Sequence, residues 1–374
     1  MKILSAATAM LVAAVVRATA GFEAGAAAPV APALLSETGL YTTPPRTTRA
    51  AGAPAGEGTT QIDPRNRPFS PQYPLWSDGA AKKRWIRLPD GAAIDATNLA
   101  RWEFPVGTRF WKEFSFNGRK VETRMLWRAT TDQWVFASYA WNDEQTEAVR
   151  APDTGIADVA EVTPGKRHRI PGVAECRSCH DSARTEILGF NALNLSDDRD
   201  PNAPHAETLT TDMITLRTLT EEQLIYPSRP ELIATPPRIA ARSPQERAVL
   251  GYLSTNCGSC HNRESSIASL GLLLKHDDQA ALATTVNQRG HWVVPEAQEE
   301  SRLINPGHPE SSAIIRRMKS RRPSSQMPPL GTVIVDREAV NLLTHWVLEL
   351  GDRKCNPATA SPSTSTLPQS ACSK

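Results

Sequence analysis

The pattern Cys-x-x-Cys-His occurs twice in this chain of 374 residues, at Cys176-Arg177-Ser178-Cys179-His180 and at Cys257-Gly258-Ser259-Cys260-His261. With 6 Cys and 8 His in the whole sequence, on the order of 0.002 copies would arise by chance. The repeat therefore marks a chemistry. Two Cys sulfurs at this spacing reach the two vinyl groups of one porphyrin as thioethers, and the adjacent His falls beneath the iron as its proximal ligand. Two covalently attached haem c groups are predicted, held by Cys176, Cys179, Cys257 and Cys260, with His180 and His261 as iron ligands. Zinc is the competing reading, since paired C-x-x-C can make a tetrahedral site. The two pairs lie far apart, however, and each carries His in the same adjacent place. A thioredoxin-like redox pair would need a βαβ context that the surrounding sequence does not show.

A third metal ligand is read from Gln326-Met327-Pro328-Pro329-Leu330-Gly331. A Met thioether is a soft ligand that favours ferrous iron and raises the potential, and the prolines stiffen the loop that would present it. Attachment motif, Met-Pro-Pro loop and closing amphipathic helix follow in the order a small cytochrome c domain needs. Met327 is therefore assigned to the second haem. For the first haem the sixth ligand stays open between His205, Met213, His168 and no protein ligand at all. His276, His291, His308 and His345 read as ordinary side chains. Arg317 can pair with a haem propionate or simply be an exposed helix charge.

The regions flanking the motifs differ in texture. Met1-Lys2, an apolar run from Ile3 to Val16 and then Ala18-Thr19-Ala20-Gly21 have the order of a secretory signal, predicted over residues 1–20 with a second cleavage-like site at Ala24-Gly25-Ala26. Residues 21–67 are rich in Ala, Pro, Thr and Gly and are expected to form a disordered linker. Residues 68–171 carry short runs rich in Trp, Phe and Val between turn signals, which predicts an antiparallel β-sandwich-like domain. Its strands are expected at Lys83–Leu88, Thr108–Phe116, Lys120–Arg128, Trp134–Trp141 and His168–Ile170, with a hairpin turn at Asn117-Gly118. Seven of the nine Trp fall here and are expected to pack. Residues 172–240 form the first haem-binding region, and residues 241–354 a mainly α cytochrome c domain. Within the latter, Ser243–Thr255 has an N-cap Ser, Pro at the first helical position and Glu at the third. Helices are also expected over Pro309–Lys319 and Asp336–Leu350. A flexible tail, 355–374, ends an α+β multidomain chain.

Lys and Arg exceed Asp and Glu by only two, so the chain lacks the basic excess that a phosphate backbone selects, and a nucleic-acid partner is not expected. No window beyond the signal reaches the ~20 apolar residues of a membrane span. The mature chain is expected to be soluble and periplasmic or secreted. Cys355 and Cys372 could close a disulfide in that compartment or stay apart, since the tail imposes no geometry.

The chain resembles the secreted bacterial dihaem c-type cytochromes, over about Leu75 to Leu350. In the β-rich part the resemblance rests on Pro74-Leu75-Trp76-Ser77-Asp78-Gly79, Phe104-Pro105-Val106-Gly107-Thr108, Val121-Glu122-Thr123-Arg124 and Trp141-Asn142. In the haem part it rests on both attachment motifs, Asn305-Pro306-Gly307, Arg317-Met318 and Met327-Pro328-Pro329-Leu330-Gly331. The resemblance implies haem binding and electron transfer with a periplasmic redox partner protein. The dihaem cytochrome c peroxidases are neighbours, but motifs about 80 residues apart are too close for two full cytochrome domains of that type. Two other readings stand beside the carrier: a haem enzyme, peroxidase-like or substrate-oxidising, whose first haem has an open position; and a β-domain binding module with the cytochrome as redox payload, compatible with its Trp content and with Lys82-Lys83-Arg84 and Arg119-Lys120.

Overall fold

Asn117 and Gly118 both take positive φ, 50° and 79°, the twist that a two-residue hairpin turn requires. They join two long neighbouring strands, Arg109–Phe116 and Arg119–Arg128. In the computed structural model, which describes residues 28–42, 61–181, 187–296 and 300–355, the strands in chain order are β1 (Arg67–Pro68), β2 (Ala81–Arg87), β3 (Ile94–Asp95), β4 (Arg109–Phe116), β5 (Arg119–Arg128), β6 (Trp134–Trp141), β7 (Ala148–Arg150), β8 (Ile156–Thr163), β9 (Lys166–Ile170) and β10 (Ile225–Tyr226). A six-stranded antiparallel sheet runs β1-β2-β4-β5-β6-β7, with β8-β9 a separate hairpin and β10-β3 a short parallel pair. Each strand read from the sequence forms, because large aromatic and aliphatic residues at both parities suit a pleat covered on both sides.

Both faces of the sheet are apolar, and each is covered differently. Ile86, Phe110 and Phe136 face Phe69, Trp102, Phe104 and Phe190, together with Leu216 and Leu219. Trp85, Trp111, Met125 and Tyr139 face the other way and are covered by Leu35, Leu40 and Tyr41. Four of the seven Trp in this region, Trp85, Trp102, Trp111 and Trp134, are core residues.

Two expectations are corrected here. The β-region is one six-stranded antiparallel sheet covered by loops, short helices and the two-stranded pairs β3-β10 and β8-β9, rather than a sandwich of two comparable sheets. The linker expected over 21–67 is folded over residues 31–42 and 61–67. Leu35 and Leu40 are wholly buried, Trp111 Nε1 donates to Thr38 Oγ1 at 3.0 Å, and the segment bridges Leu34 to Val149. A few large apolar residues, each worth about 2 kcal/mol when buried, anchor a stretch whose average composition argues for disorder. The signal sequence and residues 43–60 lie outside the described residues, as does Cys372.

The helices are α1 (Val173–His180), α2 (Leu216–Glu221), α3 (Glu231–Ala234), α4 (Pro244–Asn256), α5 (Ala281–Thr285), α6 (Ala313–Lys319) and α7 (Arg337–Cys355). The α4 start is as expected, with Ser243 Oγ accepting the Glu246 amide hydrogen at 3.1 Å. The helix expected over Pro309–Lys319 divides into a 3-10 turn, Pro309–Ser311, and α6. Ser312 is extended between them because it bridges to Arg302, and its hydroxyl accepts the Asn305 amide hydrogen. α4, α6 and α7 enclose Val249, Leu253, Ile315, Leu343, Trp346 and Val347. Ala31–Lys374 forms one compact unit. Among the described residues no helix is long and apolar enough to cross a membrane.

Candidate functional site

Helical spacing puts Cys176, Cys179 and His180 on neighbouring positions of α1. α1 lies against β6, with the His180 ring 5.2 Å from that of Phe136 and the Arg177 guanidinium 5.1 Å from the same ring. Cys176 packs on the apolar face of the sheet. The second motif follows α4 as a turn: the Cys257 amide donates to Leu253, and the His261 amide donates back to the Cys257 carbonyl at 2.9 Å. Gly258 is needed in it, since a Cβ there would lie 2.4 Å from the Ser254 carbonyl oxygen.

The second motif opens on a largely apolar cavity of about 330 Å³, whose lining includes Cys257, Cys260, His261, Trp292, Arg317 and Met327. His261 and Met327, 66 residues apart along the chain, thus line one cavity. Arg317 is anchored beside Met327: its carbonyl accepts the Met327 amide hydrogen at 3.1 Å, and its Nε donates to the Ser325 carbonyl at 3.1 Å. Burial and the Arg317 cation hold the His261 imidazole below its ordinary range, and its Nδ1 is buried without a hydrogen-bond partner among the described residues. Burial, reinforced by Cys260, pushes the Cys257 thiol up to about 12.

Ser178 of α1 lines the same cavity, and the two motifs meet. The Cys179 thiol donates to Cys260, which favours thiolate at Cys260 and opposes it at Cys179. None of the four motif cysteines is in a disulfide among the described residues. Among the described residues no group of three or more His, Cys, Asp or Glu side chains is gathered as a metal site.

The three residues expected as candidates for the sixth position of a first haem each have their own partners. His205 is held by Asp336 at 2.9 Å and Glu338 at 3.3 Å, its ring 4.7 Å from that of Trp76. His168 is buried on β9 with Asp78 and Glu122 at 3.9 and 3.7 Å; burial lowers its pKa, but the two carboxylates outweigh burial and raise it. Met213 lines a separate cavity of about 470 Å³ with Arg67, Lys82 and Arg84. His291, His308 and His345 are exposed, and His276 pairs with the neighbouring Asp277.

Residues not singled out for a role in the sequence tie these parts together. Asp78 accepts from Val333 and Ile334 in the segment after Met327, and the Trp76 amide donates to Asn256 at the end of α4 at 2.7 Å. Asp336 accepts from Tyr252 Oη at 3.0 Å and from the Ala339 amide at 3.0 Å. The Pro74–Gly79 segment thus joins the sheet to the second motif, a role that its turn residues do not announce.

Comparison with protein-family models, with curated proteins and with solved structures finds no match to this chain. Its donors remain informative by themselves. Paired thiols, an adjacent imidazole and a thioether around an apolar cavity suit a soft, redox-active iron centre better than a hydrated hard cation.

Proposed function

We propose that this chain is an exported dihaem c-type cytochrome, of the family it resembles, that carries electrons between two covalently held haems and a periplasmic redox protein. The observation that carries the reading is the contact between Cys179 and Cys260, which makes the two attachment points neighbours within one compact unit. Cys176 and Cys179 would fix one haem above His180, and Cys257 and Cys260 the other above His261. The fit of the second site is supported by the apolar cavity, by the unpartnered His261 Nδ1 and by Met327 in the same lining. Bound there, haem iron supplies one-electron chemistry. Met327 would complete the second iron and raise its potential, the apolar lining would keep water from it, and Arg317 would meet a propionate.

Visible and EPR spectra of the purified holoprotein, with a pyridine haemochrome count, test this. Two covalent haems per chain, both low-spin and indifferent to cyanide and peroxide, are expected. A protein without covalent haem after expression with a c-type maturation system would overturn the reading.

A second reading has a specific observation behind it. His168 and His205 are each engaged by two carboxylates. A first haem left without a sixth ligand would bind small molecules, and the chain would then be a haem enzyme. A high-spin ferric signal that changes on adding peroxide or cyanide selects this reading over the carrier.

A further inference from the structure

Three cations stand directly opposite one another across the sheet. Arg84 of β2 pairs in register with Lys112 of β4, and Lys112 with Arg124 of β5. The neighbouring row on the same face is Ile86, Phe110, Leu126 and Phe136, part of the apolar core. The row on the other side begins with Lys82 and contains Phe114 and Glu122. Like charges at directly opposed positions destabilise a sheet, and burial makes them costlier. A face that is apolar one row away has no structural need for them.

The charges are incompletely matched. Glu207 pairs with Arg84 at 2.7 Å, and Glu122 accepts from Arg124 Nε at 2.6 Å. Lys112 and Lys82 form no hydrogen bond or ion pair among the described residues, so two of the four cations have no carboxylate bonded to them. Arg84, only 5% exposed, leaves Nη2 without a hydrogen-bond partner. Lys112 and Arg124 rest on the Phe114 ring, 4.9 and 4.4 Å from its centroid, which holds their stems on this face. The arrangement calls for a ligand with two negative charges.

Position indicates which one. The His180 ring rests 5.2 Å from that of Phe136, Phe136 is opposed in register by Leu126, and Arg124 is the next residue of β5 on that face. From there the row leads away across two strand spacings, ~10 Å, to Arg84. A porphyrin carries its propionates on the edge away from its vinyl groups. We propose that Arg84, Lys112 and Arg124, with Lys82, seat the two propionates of the first haem, an assignment that rests on the dihaem reading above. Burial and the neighbouring cations hold Lys112 well below its ordinary range and bring Lys82 down to about 8; a bound dianion would reverse both shifts.

The test is redox titration of the holoprotein as wild type, K112Q and K112R, with the haem count measured in each. The first haem is identified as the midpoint that M327A leaves in place. A cation near the haem favours the reduced state, so Lys112→Gln is expected to lower that midpoint by the equivalent of up to a tenfold change in the reduced-to-oxidised ratio, about 59 mV for one electron. Lys112→Arg is expected to restore it. Two bound haems with an unmoved first midpoint in K112Q would overturn the proposal and leave the dihaem reading standing, whereas absence of haem would overturn both. Succinate added to the wild-type holoprotein separates the sources of a dicarboxylate. No shift in melting temperature is expected, and a succinate stabilisation abolished by K112Q would overturn the propionate assignment in favour of a site for a free dicarboxylate.

Discussion

The carboxylate of Asp78 accepts the amide hydrogens of Val333 at 2.8 Å and Ile334 at 3.1 Å. Asp78 lies just before β2 and is 3% exposed, so a buried carboxylate ties the segment after Met327 to the entry of that strand. Asp78→Ala removes both acceptors and is expected to cost about 2 kcal/mol, the scale of hydrogen bonds to a charged group. Urea denaturation would measure that loss. In the dihaem protein proposed above, the same variant is expected to lose the Met327–iron bond at a lower temperature than wild type, read from the visible spectrum.

Asp336 is expected to be the more sensitive carboxylate. It caps α7 through the Ala339 amide, accepts from the buried Tyr252 hydroxyl and pairs with His205. Asp336→Ala would orphan a buried hydroxyl and remove a helix cap together, a loss of about 3 kcal/mol. Asp336→Asn, which keeps one acceptor oxygen, is expected to recover part of it in the same denaturation experiment.

The α7 helix passes the Asn305-Pro306-Gly307 turn at backbone contact. A Cβ on Gly351 would lie 2.5 Å from Gly307 Cα, while the Gly307 amide donates to the Val347 carbonyl at 2.8 Å. Gly351→Ala is therefore expected to destabilise by about 2 kcal/mol despite its better helix propensity, because backbone cannot yield as a side chain can. A thermal melt that rose in this variant would contradict the contact.

Asp63 gives the chain a dependence on acid. Hydrogen bonds from Arg65, at 2.6 Å to Oδ2 and 3.0 Å to Oδ1, bring its pKa from 3.8 down to about 2. Since the folded value is the lower, its contribution to stability is complete above pH 4 and is lost as pH falls toward 2. The difference in urea midpoint between wild type and Asp63→Asn is expected to be largest near neutrality and to shrink across that window.

Much of the fold was legible because its signals are local. The Asn117-Gly118 turn, the alternation through Trp134–Trp141 and the Ser243 cap each declare themselves within a few residues. The folding of residues 31–42 was not legible, because Leu35 and Leu40 are buried only where the sheet supplies Trp111 and Tyr139. The break at Ser312 was likewise hidden, since a bridge to Arg302 competes there with a good helical pattern. The row Arg84, Lys112 and Arg124 could have been suspected from strand parity, as these residues share a face with Ile86, Phe110 and Phe136. Parity alone does not say that the three are opposed, because strand register follows from the hairpin and the bulge at Phe114 and Ser115.

Spacing along a few residues was enough to read the two Cys-x-x-Cys-His motifs and the main strands and helices around them. Only the tertiary structure decided that Cys179 meets Cys260, that Met327 shares a cavity with His261 and that Asp78 reaches Val333. Each of these pairs is separated by tens to hundreds of residues, and packing of the sheet against the helices brings them together without a trace in local spacing.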